Sequence, residues 1–140
     1  MIKIEYLSEK DREFWFSLDK HLPKSEFLNK IRDKNAYVIF EDEVPIGILR
    51  YNLFWDNTPF CNLIYVKDEF QRKGYGKILM EHFEKEMKSK GYSMLMTSTQ
   101  ANEEAQHFYR KLGYIDAGGF VIRTKNYSEP MELIFIKEIM

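Results

Sequence analysis

Val66-Lys67-Asp68-Glu69-Phe70-Gln71-Arg72-Lys73-Gly74-Tyr75-Gly76-Lys77 is the most informative stretch of this 140-residue chain. An apolar, strand-like run from Phe60 to Val66 leads into it, and a helical stripe of Tyr75, Ile78, Leu79 and Phe83 leaves it. A strand-to-helix junction presents backbone N–H groups that no intrahelical carbonyl satisfies, and the helix dipole adds partial positive charge there. Gly74 and Gly76 remove side chains where an anion must approach the backbone, and Arg72, Lys73 and Lys77 add cations. The stretch reads as a phosphate or pyrophosphate cradle. Neither G-x-G-x-x-G nor G-x-x-x-x-G-K-[ST] is present, so the dinucleotide and P-loop patterns are excluded. A solvated basic turn that uses glycines to start a helix accounts for the same residues equally well.

Working outward, Ile2, Ile4 and Tyr6 alternate with Lys3 and Glu5 as in a strand with one wet face. Ser8 to Arg32 is helical in spacing, broken at Leu22-Pro23 and resumed with Ser25 as the expected cap. Strands are expected at Ala36 to Phe40 and Ile46 to Leu53, with a turn at Glu41-Asp42-Glu43 and Pro45 at a strand entrance. Trp55 to Pro59 reads as a loop. The helix that begins near Tyr75 ends at Lys90-Gly91, and Tyr92 to Thr99 is a further strand. Ala105, Phe108, Tyr109 and Leu112 mark a last helix, with Asn102 as its expected N-cap and Gly113 as its stop. Tyr114 to Arg123 and Met131 to Lys137 complete the strands. The expected fold is α/β (α+β): a mixed, mostly antiparallel sheet of six or seven strands flanked by about four helices. No repeat or linker divides residues 1–140, so one domain is expected.

Composition narrows the function. Aromatic residues make up 16% of the chain, too many for a disordered one. With 21 basic against 22 acidic residues, nucleic acid gains no overall electrostatic attraction. No apolar run approaches the roughly 20 residues that span a bilayer, and no signal peptide is visible at Met1 to Tyr6. A lone cysteine, Cys61, has no partner for an internal disulfide, so a cytoplasmic protein is expected. No His/Cys cluster has zinc spacing, and no metal is expected.

The central stretch resembles the GCN5-related N-acetyltransferases. Gln71-Arg72-Lys73-Gly74-Tyr75-Gly76 fits their acyl-CoA signature, Q/R-x-x-G-x-G/A, at every specified position. Asn102-Glu103-Glu104-Ala105-Gln106-His107-Phe108-Tyr109-Arg110-Lys111-Leu112-Gly113-Tyr114 looks like the family's N-x-x-A-x-x-F-Y-x-K-x-G-F/Y helix. Together they cover roughly residues 60 to 120. The resemblance implies that backbone amides from Gln71 to Gly76, Tyr75 among them, bind the pyrophosphate of acetyl-CoA, with Lys77 close by. It implies that Ile64 to Val66 pair with the pantetheine arm as an added strand, and that Asn102 hydrogen-bonds the cofactor. It places Tyr109 near the sulfur, where a phenol can protonate the departing thiolate, and a backbone N–H near Val66 at the oxyanion. Asp68 departs from the pattern, because many members carry proline there.

No general base emerges. Phe60 to Tyr65 carries no Asp, Glu or His, and Asp56, Glu43 and His21 read as turn or loop residues. Water-mediated deprotonation is the default. Packing alone explains Tyr109 as a core residue, and Cys61 as a small buried hydrophobe rather than a nucleophile. Tyr51, Phe54 and Trp55 would form an aromatic wall for the acceptor, or would simply pack.

The leading reading is an acetyl-CoA-dependent N-acetyltransferase that acts on a primary amine of a small molecule or peptide by direct attack in a ternary complex. The alternative is a catalytically silent acyl-CoA-binding sensor or scaffold, and a weaker third reading is a phosphate-ligand protein unrelated to CoA. Met131 to Ile136 is apolar on both faces, so it is either covered twice or lies at a homodimer contact.

Overall fold

The structure is a computed structural model that describes residues 1–140. Seven strands, β1 (Ile2–Tyr6), β2 (Ala36–Glu41), β3 (Val44–Phe54), β4 (Thr58–Val66), β5 (Met94–Gln100), β6 (Ile115–Phe120) and β7 (Glu132–Glu138), hydrogen-bond in the order β1-β2-β3-β4-β5-β7-β6. Four helices accompany them: α1 (Arg12–Leu18), α2 (Lys24–Asp33), α3 (Tyr75–Ser89) and α4 (Ala105–Lys111). Each resolved strand ladder is antiparallel except β4 with β5. This is the mixed, mostly antiparallel sheet expected from the sequence. No helix is long and apolar enough to cross a membrane.

The chain forms two compact units. The first comprises residues 1–52 and 62–86. Its β2 alternates cleanly: Ala36, Val38 and Phe40 join Trp15, Phe27 and Ile48 in one core, while the intervening Tyr37 is stacked with Tyr51. Tyr51 in turn packs on Phe83 of α3, so it is core and not part of an acceptor wall. Asp42 and Glu43, both at positive φ, make the two-residue turn from β2 to β3. Pro45 has no N–H for the ladder, and the register slips beside it: Ile39 faces Gly47, and Phe40 faces Pro45. Gly47 is required by close approach, because a Cβ there would lie 2.9 Å from Ile39 Cγ2 and 3.0 Å from the Tyr65 carbonyl oxygen.

A buried polar node fixes the break between α1 and α2. Asp19 accepts from Trp15 Nε1 at 3.1 Å and Arg50 Nε at 2.8 Å, and its other oxygen caps the His21 and Leu22 N–H groups. Burial alone would raise the Asp19 pKa. The Arg50 hydrogen bond and the two backbone donors more than offset this and hold the carboxyl below its usual range. Nearby, buried Lys30 donates to the Tyr51 carbonyl at 2.8 Å. Ser25 does not cap α2: Pro23 occupies that position, since proline suits a helix start and Asp19 already closes the turn before it.

The second unit comprises residues 53–61 and 87–140. In it β7 runs between β5 and β6, so both of its edges are hydrogen-bonded, and Phe135 is its fully buried residue. The parallel ladder of β4 with β5 covers only Phe60↔Met96 and Cys61↔Thr97. Tyr109, Tyr114 and Phe135 pack together against β5.

Arg50→Met strands the Asp19 carboxylate in the interior and should cost about 3 kcal/mol in urea unfolding. Asp19's contribution is present above its unfolded pKa of about 3.8 and is lost as pH falls through the lower folded value. The variant should therefore lose the stability difference from wild type as an acid titration proceeds below pH 3.8.

Candidate active site

In the first unit β4 is the last strand, with β3 as its neighbour. The Lys67 N–H reaches back to the Ile46 carbonyl at 2.8 Å, toward β3. Strand alternation then directs the N–H and C=O of Val66, and those of Ile64, away from β3. The Val66 carbonyl accepts from Gln71 Nε2 at 2.8 Å, so the motif glutamine is spent on tying the loop to the strand end. Asp68 assists: it accepts from Gln71 Nε2 at 3.2 Å and from the Tyr65 hydroxyl at 2.9 Å. These bonds supply the rigidity that a proline would otherwise give at this position, and explain how the departure from the motif is accommodated.

Beyond Gln71 the backbone turns through the left-handed region twice, at Arg72 (φ 62°) and Gly74 (φ 88°), and α3 begins at Tyr75. The first intrahelical bond from this turn runs from the Ile78 N–H to the Gly74 carbonyl, so the N–H groups of Tyr75, Gly76 and Lys77 precede the ladder. The first turn of α3 holds no acidic residue to compete for them. Arg72, Lys73 and Lys77 are exposed, and nothing lies within 4 Å of where a Gly74 Cβ would stand. An anion can thus reach backbone donors, dipole and cations at one place. Tyr75 does not pack in the helix stripe: its hydroxyl is donated to Glu41, and Leu79, Met80, Phe83 and Met87 are the fully buried residues of α3.

In the second unit Tyr109 is 5% exposed, between the rings of Phe108, Tyr114 and Phe135. Burial, followed by neighbouring Cys61, raises the phenol's pKa, and a hydrogen bond with Thr97 opposes this in part. Thr97 Oγ1 also donates to the Cys61 carbonyl at 3.0 Å, while Cys61 itself is buried. Asn102 is exposed in the turn before α4 and does not cap it; Glu104 holds the N-cap position. The turn is held instead by Glu103, which accepts from the Gln100 N–H at 2.9 Å, and by Gln106, which donates to the Ala101 carbonyl at 2.8 Å. With those bonds made by others, the Asn102 amide is left to solvent. Trp55, 79% exposed at φ 56°, packs at a tilt against Phe54, with ring centroids 4.6 Å apart. Glu43 is exposed and paired with Lys3, and His21 is exposed, so neither stands out as a base. No group of His, Cys, Asp and Glu side chains is arranged to hold a metal ion.

A model of the Acetyltransferase (GNAT) family matches residues 4–114. No curated protein sequence matches the chain. Among solved structures, the chain is similar to Ard1 from Thermoplasma volcanium, at 17% identity and TM-score 0.85, covering 99% of this chain and 98% of that one. It is similar to Arabidopsis thaliana Naa50 in complex with the bisubstrate analogue CoA-Ac-MVNAL, at 16% identity and TM-score 0.77, covering 97% of each. It is also similar to an Elizabethkingia anophelis GNAT family acetyltransferase with acetyl-CoA bound, at 18% identity and TM-score 0.74, covering 98% and 97%.

Gly74→Val places a β-branched side chain at positive φ over the open backbone. Titration calorimetry with coenzyme A should show binding at least tenfold weaker, with the Tm lowered by only a few degrees.

Proposed function

This chain belongs to the acetyltransferase (GNAT) family, and from that membership we propose that it moves the acetyl group of acetyl-CoA to a primary amine of a small molecule or peptide by direct attack in a ternary complex. The observation that carries the reading is the α3 start, with free backbone donors, no acidic competitor and an open Gly74. Of the expected amides from Gln71 to Gly76, that of Gln71 is spent on the Asp68 carbonyl at 3.2 Å, so those from Arg72 to Gly76 hold the pyrophosphate, with Arg72, Lys73 and Lys77 screening its charge. The outward backbone groups of Ile64 and Val66 pair with the pantetheine arm, and the Val66 N–H supports the developing oxyanion. Asn102, unspent on its own turn, binds the cofactor. Acetyl-CoA supplies an activated acyl group and a thiolate leaving group.

Tyr109 stays neutral at physiological pH and is the group assigned to that sulfur. Its pKa lies above the ordinary phenol value, whereas an ordinary thiol titrates near 8.5. Complete proton transfer to the thiolate would run uphill, so Tyr109 acts by hydrogen-bond donation as negative charge grows on sulfur, and solvent completes protonation. Water relays the amine's proton outward. Phe54 and Trp55 line the acceptor side. Residues 1–140 act as a single acetyltransferase domain. The catalytically silent binder is favoured by one observation, the lack of any carboxylate or histidine on Phe60 to Tyr65.

Release of free thiol from acetyl-CoA in the presence of a panel of small amines and N-terminal peptides should identify turnover. Tight CoA binding with no thiol release across the panel would establish the silent binder instead. Tyr109→Phe preserves the ring packing and should lower kcat about 10²-fold with little change in KM for acetyl-CoA.

A further inference from the structure

Asn102 lies in the turn that carries the chain from β5 to α4, and the polar groups around it are committed one by one. Gln100 and Glu103 close the turn reciprocally. The Glu103 N–H donates to the Gln100 carbonyl at 3.0 Å, and the Gln100 N–H donates to Glu103 Oε1 at 2.9 Å. Ala101 and Asn102 are thereby its two central residues. Thr99, the last buried residue of β5, donates its hydroxyl to the same Glu103 oxygen at 3.1 Å and so anchors the turn to the sheet. The Ala101 N–H donates to the Met131 carbonyl at 2.7 Å. From α4, Gln106 Nε2 donates to the carbonyls of Ala101 at 2.8 Å and Glu103 at 3.0 Å.

The other polar side chains of the turn also have partners. Gln100 donates to Glu129 at 3.4 Å, and Glu104 lies 3.6 Å from His107 Nε2. Asn102, exposed, is the exception. An asparagine in a turn ordinarily spends its amide on backbone close by. Here Glu103 and Gln106 take those backbone groups first, and the Asn102 amide stays uncommitted.

The negative charge of Glu103 does not serve this arrangement, and it works against a polyphosphate ligand. What the turn uses is one carboxylate oxygen that accepts twice, from Thr99 and from the Gln100 N–H. A neutral acceptor of the same length would do as well.

We propose that Glu103 and Gln106 are positioning residues for the cofactor: they fix the Gln100–Glu103 turn from both sides and present the Asn102 amide already set for binding, so that little ordering remains to be done when coenzyme A arrives. This role rests on the assignment of Asn102 to the cofactor made under the proposed function.

The test is calorimetric titration of the full chain and its variants with coenzyme A, with thermal unfolding of each recorded alongside. Asn102→Ala should weaken coenzyme A about tenfold, the worth of one good hydrogen bond. Glu103→Ala removes the acceptor and should weaken it to the same degree. Glu103→Gln discards the charge, keeps the acceptor oxygen and should restore wild-type affinity. Asn102→Ala and Glu103→Ala combined should bind no more weakly than Asn102→Ala alone, because Glu103 acts through Asn102. Should Glu103→Ala fail to fold, Gln106→Met, which keeps the side-chain length and removes the amide donor, takes its place in the same comparison. A Glu103→Ala chain that loses thermal stability yet binds coenzyme A as the wild type does makes the role purely structural and overturns the proposal. Additive weakening in the double variant overturns it as well, as does a Glu103→Gln chain that binds as weakly as Glu103→Ala. Affinity unchanged in Asn102→Ala overturns the assignment of Asn102 itself, and the proposal with it. A weakened Asn102→Ala beside an unaffected Glu103→Ala overturns the positioning role alone. Because every arm reads binding, these results stand whether or not the chain turns acetyl-CoA over.

Discussion

The short link between the end of β4 and the start of α3 must leave helix donors exposed without letting the loop collapse onto them. A carboxylate in the first turn of α3 would satisfy those donors internally and close the cradle. The chain avoids this by placing its acidic residues one step earlier, in the short 3-10 turn Asp68–Phe70, where Asp68 binds Tyr65 and Gln71. Two left-handed residues, Arg72 and Gly74, then swing the backbone into the helix. Arg72 bears the conformational cost that a non-glycine residue incurs there, and Gln71, bonded to the Val66 carbonyl, is what holds the turn in place. A motif usually described by its glycines thus depends equally on a glutamine that never needs to touch the ligand.

Much of this was legible in the sequence because it is local. The strand-to-helix switch, the glycines and the three cations lie within twelve residues, so spacing shows them as one feature, and the family resemblance supplies the chemistry that spacing leaves open. The order of strands and helices was legible for the same reason: hydrophobic period and turn residues act over a few positions. Errors arose where two local signals competed. Asn102 and Ser25 both have the chemistry of caps, but Glu104 and Pro23 take those positions once the adjoining turns are fixed by Glu103, Gln106 and Asp19. Tyr75 fits a helix stripe by spacing, yet a carboxylate 34 positions away, Glu41, draws its hydroxyl off.

Long-range groupings were not legible at all. Asp19 and Arg50 are 31 positions apart and meet only because β3 runs beside the α1–α2 break. Tyr6 and Glu86 are 80 apart. No periodicity or motif joins such residues, and a tyrosine in an apolar strand looks the same whether its hydroxyl is used or idle.

That distinction separates three buried tyrosines of this chain. Tyr109 has Thr97 beside its hydroxyl, and Tyr114 packs on Tyr109 beneath Lys137 Nζ at 5.4 Å. Tyr37, fully enclosed, has the Glu86 carboxylate beside its hydroxyl. Its ring makes the same stacking and edge contacts that a phenylalanine would make, so the hydroxyl's use depends on the carboxylate that α3 sets beside it. Glu86 gathers the polar ends of this cluster: it accepts from the Tyr6 hydroxyl at 3.0 Å, lies 3.7 Å from His82 Nε2 and stands beside the Tyr37 hydroxyl, although it is 80 positions from Tyr6.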